Sequence, residues 1–516
     1  MIRRLIILLL IVGCEETVAP EPEDCAGVAG GDAVVDECGV CDGIDGYVAG
    51  SCYDCAGDAN GTAIEDCLGV CDGECIGVDF YLTTPDQSNL LALKTSGISV
   101  MTDTNNFTIT VSEETTFQDM DGFGYTLTGG SAMLINNMAY SNRASLLEEL
   151  FGSGTNSIGV SYLRISIGSS DLDPTTFSYN DLPSGQTDVS LDNFSLSPDM
   201  TYLIPTLNEI LAINPDINIL ATPWSAPIWM KINSSTVGGH LLPQYYSTYA
   251  NYFVKYIKGM AAEGITIDAI SIQNEPENPF NNPSMVMNSS AQKTFIKDYL
   301  GPAFANENIS TKIIIFDHNL DNINYPISIL NDAIAHSFVD GSAFHLYAGD
   351  INNMSLVHDA HPNKNVYFTE QWMEAPGDFY GDMSWHMRNI MIGAPRNWSR
   401  NVLQWNLAAD PNSNPHTIGG CTDCLGAITI NGNSVIRNPA YYVIAHSSKF
   451  VTPGSVRIAS NTSSDFPNVA YKTPTGKTVV ILLNDSGTQS NLNINVESEP
   501  ISVSIPAASV ATLIWN

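Results

Sequence analysis

The stretch Ala269-Ile270-Ser271-Ile272-Gln273-Asn274-Glu275-Pro276 is a short apolar run closed by an amide, a carboxyl and a proline. Its apolar residues do not alternate with solvent-facing ones, so it reads as a strand buried on both faces, as parallel sheets require. Pro276 cannot continue the ladder, so Glu275 is set at the strand's C-terminal rim. The same pattern recurs outward along the chain. Runs at 122–126, 162–166, 217–223, 312–317, 343–347, 365–370 and 401–406 complete a set of eight. Helical periodicity lies between several of them, for example over 242–262 and 291–307. Eight strand-helix units predict an α/β fold with a (β/α)8 TIM barrel over residues 119–440.

Chemistry in such barrels gathers at the C-terminal strand ends. A second strand ends Val366-Tyr367-Phe368-Thr369-Glu370-Gln371-Trp372, and a third ends Phe344-His345-Leu346-Tyr347. Glu275 and Glu370 close the fourth and seventh strands, which face each other across a barrel mouth. Two carboxyls so placed suit cleavage of a glycosidic bond, where one protonates the leaving oxygen and the other attacks carbon or activates water. Trp224, Trp372 and Trp405 offer flat faces for sugar rings. No metal or organic cofactor is needed for that reaction.

Beyond residue 440 the pattern becomes short strands with Gly, Pro, Asn and Ser between them, which predicts an all-β module over 441–516. A stretch within 90–118 is expected to add strand to it. At the other end, Arg3 and Arg4 precede an apolar run too short to span a bilayer. That run ends Ile11-Val12-Gly13-Cys14, which resembles a bacterial lipoprotein signal. Residues 1–14 are therefore expected to direct export, with Cys14 carrying lipid that anchors the chain to the outer membrane or cell surface.

Residues 15–80 read as an acidic tether followed by cysteine-rich repeats. Asp24-Cys25-Ala26-Gly27 recurs as Asp54-Cys55-Ala56-Gly57, and Cys38-Gly39-Val40-Cys41-Asp42-Gly43 is echoed by Cys67-Leu68-Gly69-Val70-Cys71-Asp72-Gly73. Each repeat holds few large apolar side chains and needs staples. Paired cysteines also suit zinc, but the repeats contain no His and an oxidising compartment favours disulfides. Their Asp- and Gly-rich turns could also bind Ca²⁺. Setting Cys14 aside leaves an even ten cysteines, the last two being Cys421 and Cys424, expected to close a loop as a disulfide.

The chain has 20 Lys+Arg against 55 Asp+Glu, a net charge of −35 over 516 residues. Nucleic acid and anionic lipid both demand a basic patch, so neither is an expected partner, whereas a neutral glycan is compatible. Nothing in the sequence fixes an oligomeric state.

From about Phe117 to the C-terminus the chain resembles glycoside hydrolase family 30. The motifs are Asp121-Gly122-Phe123-Gly124, Leu163-Arg164-Ile165-Ser166, Thr222-Pro223-Trp224-Ser225-Ala226-Pro227, Gln273-Asn274-Glu275-Pro276, Thr369-Glu370, Trp405-Asn406-Leu407-Ala408 and Ser448-Lys449-Phe450, in that order. The resemblance implies a barrel fused to a β-sandwich and a retaining double displacement on a β-glycoside. It implies that Glu275 is the acid/base and Glu370 the nucleophile. Asn274 would bond the sugar 2-hydroxyl, and Tyr347, with His345 beside it, would orient the nucleophile. Arg164 would keep that carboxylate ionised, while Trp224, Trp372, Trp405 and Asn406 would build the sugar site. A β-1,6-linked glucan is the expected substrate, with glucosylceramide, other β-glucosides or xylosides, and mere surface binding of glycan as alternatives. Gly129 stands where the glucosylceramidase branch has an Asp, so Asp171 or Tyr125 is expected to take over those sugar hydroxyls.

Overall fold

The computed structural model describes residues 21–48, 53–59, 61–63, 77–100, 103–496 and 499–515. The chain forms two compact units, residues 1–76 and 77–516. Cys14 and the signal segment lie outside the described residues.

In the first unit, aspartates organise the turns. Asp24 Oδ1 accepts the N–H of Ala26 and Val28, and Oδ2 accepts that of Ala33. Asp54 repeats this cage thirty residues later with Ala56, Asp58 and Ala63. These bonds hold both carboxyls below their usual range. Val28, Val34, Val35, Ile44, Val48 and Tyr53 remain exposed, so the described residues of this unit form no apolar core. A Cys25–Cys41 disulfide supplies the staple that the composition calls for.

The second unit contains a closed barrel of eight parallel strands. In chain order they are Gly122–Thr126, Tyr162–Ser166, Asn218–Thr222, Ala269–Ser271, Lys312–Leu320, Val339–Gly349, Asn365–Glu370 and Ser399–Gln404. The eighth closes on the first, with Asn401 opposite Gly122. The period-two alternation of strands sorts the interior into layers. Tyr162, Leu220, Ala269, Ile314, Ala343, Tyr367 and Leu403 fill one apolar layer. Two residues further along their strands, Arg164, Thr222, Ser271, His345 and Thr369 form a buried polar layer towards the C-terminal mouth. The outward-facing set, including Leu163, Ile219, Ile270 and Phe368, packs beneath the helices in the main core.

Two helices differ from the sequence expectation. The helix expected over 242–262 runs Tyr246–Ala262, because Pro243–Tyr245 forms a 3-10 turn first. The one expected over 291–307 is Ser289–Phe295, a π-turn at Ile296–Leu300, then Gly301–Asn306. Pro302 has no N–H to donate, which removes one bond of a regular helical ladder there.

A ten-stranded sheet forms the β-sandwich, and the C-terminal strands Val456–Ser460, Asn468–Lys472, Thr478–Leu483, Ser490–Val496, Glu499–Ile505 and Val510–Trp515 are all in it. The thirteen-residue strand Phe107–Asp119 links its halves, antiparallel to Val456–Ser460 and parallel to Ser490–Val496. The sequence boundary at residue 80 falls inside a further strand, Val78–Thr83, which pairs with Val510–Trp515. Phe80 and Leu82 anchor it in the core; its position directly after the cysteine repeats masked this pattern. The boundary at 440 likewise cuts the helix Pro439–Ser448, whose His446 bonds Thr83 and Thr512 of the sheet.

Candidate active site

The polar layer converges on Asp317, at a fully buried position in the fifth barrel strand. Arg164 Nη2 lies 2.9 Å from its Oδ2, Ser271 Oγ 2.5 Å from the same oxygen and Thr369 Oγ1 2.6 Å from Oδ1. His345 Nε2 is 3.1 Å from Oδ1. Burial alone would raise this carboxyl, but the guanidinium, the imidazole and the hydroxyls outweigh it and hold Asp317 far below the usual range. Asp317 stands in no recognisable motif of the sequence. Its signal was the one that exposed Glu370: a lone acid ending the apolar run Ile313-Ile314-Ile315-Phe316.

Two further carboxylates stand above this hub. Glu370 ends the seventh strand, with Arg164 Nη1 2.5 Å from Oε2 and the Tyr347 hydroxyl donating to Oε1 at 2.9 Å. Glu275 follows the fourth strand in a left-handed turn, φ +44°, and its N–H donates to the Asp317 carbonyl at 3.0 Å. A left-handed non-glycine residue costs on the order of 1 kcal/mol, and such strain persists where surrounding bonds over-determine it. Here it turns the side chain into the mouth. Asn278 Nδ2 donates to Glu275 Oε2 at 2.7 Å, and His345 Nδ1 lies 3.2 Å from Oε1. His345 Nδ1 is also 3.6 Å from Glu370 Oε1, and one oxygen of each glutamate lies within 4.8 Å of the other.

Three carboxylates here face two cations, Arg164 and His345. For His345, burial opposes the charged form, but Glu370, Asp317 and Glu275 raise it to about 9. For Glu275, burial opposes ionisation, but the bond and charge from His345 hold it at about 2. The two shifts run in opposite directions, as expected of two groups in direct contact, and the pair titrates jointly. Glu370 is pushed up by burial and by Glu275 and Asp317, against the pull of His345 and Arg164. Its direct contact with the guanidinium favours the ionised form.

A cleft of about 410 Å³ opens over these groups, lined by Glu275, Glu370, Tyr347 and the rings of Trp224, Trp372 and Trp405. Trp224 and Trp405 pack at 5.4 Å between centroids, and the Arg164 guanidinium lies 4.8 Å from the Trp224 ring. Asn274 is buried and accepts from Arg164 Nη2 through Oδ1 at 2.7 Å; it is not among the residues that line the cleft. Arg164 and His345 are fully buried beneath the cleft. Asn406 sits behind the wall, where its Oδ1 accepts from Ser131 Oγ at 2.9 Å. It is not among the residues that line the cavity.

The Cys421–Cys424 disulfide expected from sequence is present and belongs to the cleft lining. Cys424–Leu425 pairs with Met373–Glu374, and this strand pairing ties the loops after the seventh and eighth strands, while the disulfide closes a turn within the second of them. Of the two residues expected to replace the missing Asp, only Asp171 reaches the cleft; Cys421 N–H donates to its Oδ2 at 3.2 Å. Burial and then Glu370 raise it to about 7. Tyr125 does not reach: it is fully buried and donates to the carbonyls of Ala440 and Tyr441. Its place on the first barrel strand faces the helices. A Cβ at Gly129 would lie 1.8 Å from Asp173 Oδ1, so any larger residue there would have to displace that carboxyl.

Residues 120–451 match the glycosyl hydrolase family 30 TIM-barrel domain, and 454–513 match that family's β-sandwich domain. An endo-1,6-β-D-glucanase of Aspergillus fumigatus is 32% identical over 426 residues, covering 77% of this chain and 84% of the relative. The lysosomal acid glucosylceramidase of Mus musculus is 28% identical over 449 residues, covering 79% and 83%. A solved endo-β-1,6-glucanase is 34% identical with a TM-score of 0.79, covering 85% of this chain and 99% of that one.

Proposed function

The chain belongs to glycosyl hydrolase family 30 and is an O-glycosyl hydrolase, and we propose on that footing that it cleaves β-1,6-linked glucan with retention of configuration. The observation that carries the mechanism is the approach of Glu275 and Glu370 to within 4.8 Å. Retaining enzymes place their carboxyls about 5–5.5 Å apart, whereas inverting ones leave about 6.5–9.5 Å for a water.

Glu370 attacks the anomeric carbon while Glu275 protonates the departing oxygen, forming a glycosyl-enzyme ester and releasing the shortened glycan. Glu275, now a carboxylate, takes a proton from water as that water breaks the ester, regenerating Glu370. The proton for the first step crosses the 3.2 Å contact from His345 to Glu275. Arg164 and Tyr347 aim Glu370. Asn274 meets the sugar 2-hydroxyl, Asp171 other ring hydroxyls, and Trp224, Trp372 and Trp405 the ring faces.

The linkage rests on the relatives. Those named as endo-1,6-β-glucanases reach 32–34% identity, against 27–29% for those named as glucosylceramidases. Product analysis on linear β-1,6-glucan, laminarin, xylan and glucosylceramide tests it. Gentio-oligosaccharides from the first are expected, and cleavage of xylan or glucosylceramide in their place would overturn the assignment. The chain is further proposed to be exported and lipidated at Cys14. Cys14→Ser should then abolish partition into the detergent phase, and unchanged partition would refute the anchor.

A further inference from the structure

Phe280 is 83% exposed, the most exposed phenylalanine in the barrel, and it lines the catalytic cleft. An aromatic ring presented to water at the lip of a sugar cleft is suited to a ligand face rather than to the core. Its loop also carries Glu275. Asn278 joins the two directly: Nδ2 donates to Glu275 Oε2 at 2.7 Å, and Oδ1 accepts the Phe280 N–H at 3.0 Å. The far end of the loop is held as well. Asn282 Nδ2 donates to the Ile418 carbonyl at 2.8 Å, and Thr417 Oγ1 donates to the Asn282 carbonyl. The ring is therefore positioned by bonds on both sides of it.

His318 lines the same cleft, on the fifth strand next to Asp317. It is 8% exposed, and its Nδ1 has no protein partner. Burial, with the neighbouring His345 charge, favours the neutral imidazole. A neutral ring offers one donor and one acceptor, the complement of a sugar hydroxyl.

The oxygen that departs must lie against Glu275, so the sugar it belongs to must lie on Glu275's side of the cleft. We propose that Phe280 and His318 form a leaving-group subsite that takes the glucosyl ring released in the first step, Phe280 stacking on its face and His318 bonding a hydroxyl. Asn278 keeps this platform in register with the carboxyl that protonates the shared oxygen. The inference rests on the β-glucan reading above and deepens it.

The test compares two substrates in wild type, Phe280→Ala and Phe280→Trp. Gluco-oligosaccharides of the linkage that the wild type cleaves occupy the subsite; β-glucosyl fluoride, with no leaving sugar, does not. Phe280→Ala is expected to lower kcat/KM about tenfold more for the oligosaccharide than for the fluoride, and Phe280→Trp to restore the ratio. An equal effect of Phe280→Ala on both substrates overturns the subsite while leaving the β-glucanase reading intact. A wild type that cleaves no β-linked gluco-oligosaccharide overturns both.

Discussion

The two halves of the cleft floor differ in how they hold a carboxylate. On the seventh-strand side, Glu370 is gripped by a buried guanidinium and a phenol, neither of which gives up a proton near neutral pH. On the fourth-strand side, Glu275 is touched by a protonated imidazole and by neutral amides from a loop. On the proposed mechanism, one environment fixes a charge and the other passes a proton. The proposed division of labour between two chemically identical side chains rests on their neighbours.

The comparison breaks first at the glutamates. Glu370→Gln should lower turnover of every substrate by about 10⁴-fold or more, whatever the leaving group. Glu275→Gln should behave differently with β-glucosyl fluoride, which departs without an acid. A burst of fluoride equal to the enzyme concentration should precede a slow steady state, because no base activates water for the second step. Identical kinetics for the two variants would erase the distinction.

Removing the fixed cation is the next largest change. Arg164→Met leaves Glu370 and Asp317 buried without their partner, and should destabilise the fold by about 3–5 kcal/mol in urea unfolding at neutral pH. The loss should shrink as pH falls through the carboxylate range, since protonation relieves the unpaired charges. A variant as stable as wild type would mean that Arg164 holds no essential charge balance.

The proton-passing half is sharpened by pH. His345 is raised to about 9, so its proton is present below that value and lost as pH rises through it. The alkaline limb of kcat/KM in the free enzyme is therefore expected near pH 9, and His345→Gln should move it to lower pH. An unmoved limb would remove His345 from the proton path.

The sequence made the barrel legible because parallel strands buried on both faces leave apolar runs, as most of the eight do; the eighth, Ser399–Gln404, carries Arg400 and Asn401 and is the weakest of them. Glu275 and Glu370 were legible because each closes such a run. Asp317 shared that signal but had no adjoining motif, and its importance comes from five strands meeting around it. Asn278, Phe280 and His318 look like ordinary loop and strand-end residues until folding brings them to one wall. Tyr125 illustrates the converse: an adjacent place in sequence, yet the wrong face of its strand. The strand Val78–Thr83 was hidden by the cysteine repeats before it, since its partner, Val510–Trp515, lies at the other end of the chain.

The division of labour is tested most directly by trapping. Incubation with 2-deoxy-2-fluoro-β-glucosyl fluoride, which forms the ester readily and releases it slowly, followed by proteolysis and mass spectrometry, should find one fluoroglucosyl group on the peptide containing Glu370. A label on the Glu275 peptide, or no covalent adduct while the reagent is turned over, would contradict the account.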